Sequence, residues 1–326
     1  MSNKKDGKVS IANILALIGL AAIGVVLFFG FMIKSEDGSP GVPILLTAII
    51  VAALGLFLVF SIKAKSADNN PDKWKIVEWI CLAAYIIVAA VSAPVFLHFF
   101  DVFSHKTELQ NIAKSEIKAV DQIYESYTKQ CKEARDNAVG QLENYYDSKR
   151  FGTKNAVVEV DDWINTRITD NGNVEFNKKN IDSWKNTATL LYEEASFIDE
   201  LKSVDSKIDN WDWMNLMVVA KKLKEIDTNA KGLVLNKVDS MKTNSGLFPV
   251  ITEGTYVFNG YYKFNINDGP TPQFMQKLES TSVGSVLGFV LLFVFHFMIL
   301  LNYLVTRRAN YIPIRTNNSN AGGISL

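Results

Sequence analysis

Four long, almost uncharged apolar stretches constrain this chain before anything else does. They cover residues 11–33, 42–62, 76–100 and 283–305, and together they contain no Asp, Lys or Arg and a single Glu, at position 78. A helix needs about 20 apolar residues to cross the hydrocarbon of a bilayer, which offers unpaired backbone groups no partner. Each stretch is therefore read as a transmembrane helix. Pro43 falls in the first turn of the second span, where its missing N–H does no harm. The first stretch reads as a span rather than a cleaved leader. It is too long for a leader's apolar core, no small-residue cleavage pattern follows it, and another span comes almost at once.

Direction follows from the basic residues. Lys4, Lys5 and Lys8 precede the first span, Lys63, Lys65, Lys73 and Lys75 fill the loop between the second and third, and Arg307, Arg308 and Arg315 follow the fourth. Four alternating spans place all three clusters on one face, and the positive-inside rule makes that face cytoplasmic. Trp74 and Trp79 suit the inner interface at the start of the third span. The expected fold class is an α-helical integral membrane protein, with a mainly α (α+β) extracytoplasmic domain between the third and fourth spans. The expected layout is a cytoplasmic N-terminus (1–10), three spans (11–100), the outside domain (101–282), the fourth span (283–305) and a disordered cytoplasmic tail (306–326).

Lys plus Arg equals Asp plus Glu at 34 each, so no global charge draws the chain to nucleic acid. The outside domain carries 23 basic against 28 acidic residues and is mildly acidic. Of the two cysteines, Cys81 lies in a span and Cys131 in the outside domain, so an intramolecular disulfide is not expected. Cys131 is read as a buried or idle thiol, with an intermolecular bridge as the alternative.

Within the outside domain, Leu109, Ile112, Ile117, Val120, Tyr124, Tyr127, Cys131, Ala134, Ala138, Leu142 and Tyr145 step mostly by three, four or seven. That spacing predicts one long helix running out of the third span to about Gly152. Val157, Val158 and Val160, a turn at Asn171-Gly172, then Val174 and Phe176 predict strand and turn. Helices are expected over about 180–202 and 210–242. Thr255–Phe258 and Tyr261–Phe264 flank Asn259-Gly260, the pattern of a hairpin turning at that dipeptide. Thr271 and Pro272 read as the cap and first position of a last helix leading into the fourth span.

No catalytic, nucleotide or metal motif emerges, and no cofactor is expected. His98 and His105 lie about 10 Å apart along a helix, too far to share one ion. His296 lies mid-span without an acidic residue at its depth, which reads as a neutral histidine bonded to a neighbouring helix; a proton relay is the alternative. Glu78 is near enough to the cytoplasmic edge to snorkel beside Lys75. Asp161-Asp162 and Glu193-Glu194 read as solvated surface pairs. Gly284 and Gly288 form a G-x-x-x-G, and Ala89 and Ala93 share its spacing, so these four are the helix-packing candidates, within the chain's own bundle or between subunits. Tyr256, Phe258, Tyr261 and Tyr262 are the candidates for a partner interface, since aromatic side chains anchor interfaces; a local core is the competing reading.

The topology resembles that of tetraspanins, but the Cys-Cys-Gly motif and the loop disulfides of that family are missing. Three amino-terminal spans within 11–100, a large Asn- and Lys-rich outside domain with one cysteine, and a last span at 283–305 resemble TssN, an inner-membrane component of the Bacteroidetes type VI secretion apparatus. The resemblance is architectural and transfers no functional residue. It implies a non-enzymatic scaffold or anchoring subunit of a bacterial envelope complex. Its partners would be the lipid bilayer, other envelope proteins and further copies of itself. The alternative is a periplasmic ligand sensor that borrows its cytoplasmic output from a partner.

Overall fold

The computed structural model describes residues 11–67, 71–151, 158–193, 196–252, 256–280 and 285–307. In chain order its elements are α1 (Ile11–Ile33), α2 (Gly41–Lys65), α3 (Pro71–Ser104), α4 (Lys106–Arg150), α5 (Val158–Arg167), α6 (Lys178–Glu193), α7 (Ser196–Asn210), α8 (Leu216–Ser245), β1 (Pro249–Thr252), β2 (Val257–Tyr261), α9 (Phe274–Glu279) and α10 (Val286–Val305). Two compact units result. The membrane unit is Met1–His105 with Thr281–Leu326, and the polar unit is Lys106–Ser280.

Helices α1, α2, α3 and α10 are each long and apolar enough to cross a membrane, so the chain is a helical membrane protein with four candidate spans. The other three spans pack on α1, which buries Ala12, Ala16, Gly19, Ile23, Val26, Leu27 and Gly30 at steps of mostly three and four. A Cβ on Gly19 would stand 2.9 Å from Phe295 O on α10, and one on Gly30 would stand 2.6 Å from Val95 O on α3. Backbones therefore meet at these two points more closely than any side chain permits. In lipid, where apolar burial drives helix association weakly, such close packing holds a bundle together. Ile23, Leu27, Leu54, Leu58, Tyr85, Phe96 and Ile299 fill the core around it.

The polar unit is built on α4, 45 residues and therefore about 67 Å long. Its stripe of Leu109, Ala113, Val120, Ile123, Tyr127, Cys131, Ala134, Ala138, Leu142 and Tyr145 is buried from end to end. Helices α6, α7, α8 and α9 and strand β1 all pack against it. The stripe agrees with the spacing in the sequence. The expected helix over 180–202 is described as α6 and α7, on either side of residues 194 and 195, which lie outside the described residues.

Two β expectations are corrected. The valine-rich stretch is helical from Val158, because Val160, Trp163, Ile164 and Ile168 are all buried and their steps of three, one and four suit a helix rather than a strand; Val157 lies outside the described residues. Asp170, Asn171 and Gly172 do adopt positive φ (49°, 55° and 85°), but they turn the chain between α5 and α6 rather than between strands. The antiparallel hairpin does exist, yet Asn259-Gly260 is inside β2 and not at its turn. Thr252 pairs with Val257, Ile251 with Phe258 and Pro249 with Tyr261, leaving one extra residue on β2. Gly260, at φ 89°, accommodates that bulge. An Asn-Gly pair supplies positive φ equally well to a bulge or to a turn, so its identity alone did not fix the register.

Gly30→Ala is expected to lower the stability of the bundle by about 1–3 kcal/mol through overpacking against Val95. Gly55→Ala, whose added Cβ would meet Leu20 at an ordinary 3.8 Å, serves as the control. Thermal unfolding in detergent measures both, and equal melting temperatures would reject the close approach.

Candidate functional site

Several polar side chains in the membrane unit bond across helices, whereas Ser61 and Ser92 bond to the backbone of their own helices. His296 Nδ1 on α10 and Tyr85 Oη on α3 share a hydrogen bond of 2.7 Å, so the mid-span histidine is met by a neutral partner. Glu78 does not snorkel. It is buried and accepts a 2.7 Å hydrogen bond from the Tyr303 hydroxyl, because a partner on α10 is within reach there. Lys65 donates to the Tyr303 carbonyl at 2.7 Å and lies 4.2 Å from the centre of its ring, linking α2 to the same cluster. Asn302 also donates to the side chain of Asn13.

Of the packing candidates, Gly288 takes its place inside the bundle: a Cβ there would meet Phe100 Cβ at 3.0 Å and Leu97 at 3.3 Å. Ala89 is half-buried against the apolar core and Ala93 is half-buried, while Gly284 lies outside the described residues. The closest approaches in this unit, at Gly19 and Gly30, carry no G-x-x-x-G signal in the sequence.

In the polar unit, Tyr256 is a core residue, which removes it from any surface a partner could meet. It is 5% exposed, its ring packs 5.1 Å from that of Tyr145, and its hydroxyl is 2.8 Å from Ser148 Oγ. Phe258, Tyr261 and Tyr262 are half-buried and spend part of their surface on each other and on Phe264. Cys131 is fully buried and burial pushes its thiol up to about 12, so it has neither the exposure nor the ionisation that an intermolecular bridge needs. Asp161 accepts from Tyr145 at 2.9 Å and from Lys149 at 2.8 Å, a structural tie between α4 and α5. Glu194 lies outside the described residues. His105 sits against Asp101, 3.2 Å away. Among the described residues no group of three or more His, Cys, Asp or Glu is arranged to hold a metal ion.

A concavity with a volume of about 900 Å³ lies between α4, the end of α6, α7 and α8, within the range typical of ligand sites. Tyr124 and Tyr127 from α4 and Phe197 from α7 give it an aromatic wall, and Asp121, Glu193 and Asp199 add carboxylates. The Tyr124 and Phe197 rings meet edge to face at 6.0 Å, and the Tyr124 hydroxyl donates to the Glu193 carbonyl at 2.8 Å. Burial, followed by the charges of Glu193, Asp121 and Asp199, pushes the Tyr124 phenol up. All three carboxylates thus act on one ring. Lys202 reaches Asp199 only at 3.9 Å, between two exposed side chains, and Lys237 lines the same cleft. This arrangement suits a small cation with an apolar body.

Three charged side chains of the polar unit are buried among the described residues: Arg135, Glu116 and Asp227. Arg135 is satisfied. It donates to Asp136 at 2.7 Å, to Tyr192 Oη at 2.9 Å and to Thr189 Oγ1. Glu116 accepts from the backbone N–H of Gln273 and, at 2.6 Å, of Phe274. The cap of α9 therefore comes from α4 and not from Thr271, and α9 starts at Phe274. Asp227 has no hydrogen-bond partner on either oxygen. None of these roles is visible in the sequence, where the three residues sit among many similar surface charges.

No protein-family model, curated protein or solved structure matches the chain.

Cys131 is expected to resist maleimide in the folded protein and to react after denaturation; mass spectrometry distinguishes the two, and rapid labelling of the native state would refute its burial. Tyr256→Ala is expected to cost about 3 kcal/mol of polar-unit stability, with Tyr256→Phe about 1 kcal/mol, both read by denaturant unfolding.

Proposed function

We propose that the chain is a non-enzymatic anchoring subunit of a multiprotein bacterial envelope complex, of the kind that supports type VI secretion. It sits in the inner membrane with both termini cytoplasmic and the polar unit in the periplasm. The observation that supports this reading most is α4, a single 45-residue helix buried along one face that ties most elements of the polar unit together. A domain built on one long rod is stiff along that axis and suits a load-bearing subunit. The orientation rests on the sequence positions of Lys63, Lys65, Lys73, Lys75, Arg307, Arg308 and Arg315, which four alternating spans would put on one face. Phe258, Tyr261 and Tyr262, half-buried on the hairpin, are the residues of this reading's docking surface.

The second reading is a partner-dependent sensor, favoured by the aromatic and acidic cleft between α4, α7 and α8. Its ligand class would be a small organic ammonium ion, held by the rings and by Asp121 and Glu193.

Purification in mild detergent with native mass measurement and identification of co-eluting proteins tests the first reading. A large assembly with other envelope proteins is expected, and Tyr261→Ala with Tyr262→Ala should weaken it without reducing membrane insertion. A lone small oligomer would reject it. For the second reading, a panel of aliphatic and aromatic ammonium ions is expected to raise the melting temperature of the full chain, and Tyr124→Ala should abolish that shift. No shift across the panel would reject it.

A further inference from the structure

Among the described residues, Asp227 is the buried charge of the polar unit that no donor meets. It is 2% exposed, and neither carboxyl oxygen has a hydrogen-bond partner. The segment leading to α9 passes directly over it. A Cβ on Gly269 would stand 2.8 Å from the Asp227 carbonyl oxygen and 3.8 Å from its Oδ1, so only glycine lets the backbone come this close. A few residues further on, Glu116 holds the same segment through the N–H groups of Gln273 and Phe274. Two carboxyl groups, one from α4 and one from α8, thus lie beneath a single short stretch.

Among the described residues no cation offsets them. On α8 itself, Lys231 is drawn outward by exposed Asp268 at 2.5 Å, Lys222 is engaged by Glu200 of α7 at 3.0 Å and by Glu225 at 3.3 Å, and Lys224 is exposed. On α9, Lys277 lies 3.9 Å from Glu108 of α4. From the described residues of α6, which also packs on α8, no charge bears on Asp227. The charge that does is Glu116, and it repels.

We propose that Asp227 is a proton-binding site whose occupancy decides whether residues 267–279 stay seated on α4 and α8. A buried carboxylate with neither donor nor cation is tolerated only as the neutral acid. Protonated, Asp227 is uncharged and the segment closes over it. Ionised, it sets a second negative charge beside Glu116 in a site without solvent, and lifting the segment to admit water relieves the strain. Burial first and Glu116 second push the Asp227 carboxyl up to about 7. The folded state then holds the proton more tightly than the unfolded chain. The seated form is favoured most in acid, loses that advantage as pH rises from the ordinary carboxylate range towards about 7, and loses nothing further above it. This device is independent of which partner or ligand the polar unit meets.

Hydrogen–deuterium exchange on the full chain in detergent reads the segment directly. After correction for intrinsic rates, the amides of α9 are expected to exchange about 100-fold faster at pH 8 than at pH 5, while those of α6 stay level. Asp227→Asn, uncharged at every pH, is expected to erase the difference. Glu116→Gln keeps an acceptor for the two N–H groups and removes the repelling charge, so it should move the midpoint to lower pH; it reports even if Asp227→Asn does not fold. Equal protection of α9 at the two pH values, a pH dependence that survives Asp227→Asn, or an unmoved midpoint in Glu116→Gln would overturn the proposal.

Discussion

The apolar stripe along α4 is the feature on which the polar unit depends. Buried from Leu109 to Tyr145, it receives α6, α7, α8, α9 and β1, and most contacts between those elements are arranged around it. Helix propensity contributes less to such an element than the packing of its amphipathic face, and the burial of that face is what holds it. The same stripe places Glu116 beneath the start of α9, Arg135 against α6 and Tyr124 at the wall of the cleft. Structure and candidate chemistry therefore share one helix, and the polar residues that interrupt its apolar face are the ones with a role to explain.

The membrane unit solves a different problem. In lipid, burying apolar surface gives little reason for helices to associate, so shape and hydrogen bonding must do it. Gly19 and Gly30 let α1 touch α10 and α3 backbone to backbone. Tyr85–His296 and Tyr303–Glu78 join α3 to α10 with bonds that water cannot contest. These polar groups are more economically explained as fasteners than as a transport path, since each of them has its partner on a neighbouring helix.

The two readings of the polar unit draw on different parts of it. Anchoring draws on the stiffness of α4 and the half-buried aromatics of the hairpin, and sensing draws on the cleft beside Tyr124. They are compatible in one domain, because the hairpin residues and the cleft residues do not overlap. Asp227 belongs to neither. Its burial without a partner destabilises the domain at neutral pH, and a fold that keeps such a group gains a dependence on protonation in return.

Much of this was legible in the sequence. Twenty-residue apolar runs and a 3.6-residue period are short-range signals, so the four spans, the stripe of α4 and the helical patterning after Asn180 could be read from neighbouring residues alone. Positive φ at Asn171, Gly172 and Gly260 was legible too, because glycine lacks a Cβ and the short polar side chain of asparagine tolerates the left-handed region. The use made of each was not: Asn259-Gly260 became a bulge and Asn171-Gly172 a link between helices, since register and direction depend on what the flanking residues pack against. The cap of α9 is supplied by Glu116 from more than 150 positions away, and Asp227 is distinguished from the exposed acids around it only by the segment that covers it. Local pattern determined most of the helices, though not α5, and which four of them are long and apolar enough to cross a membrane. Tertiary structure decided which charges are desolvated, because desolvation depends on every neighbour in space and on almost none in sequence.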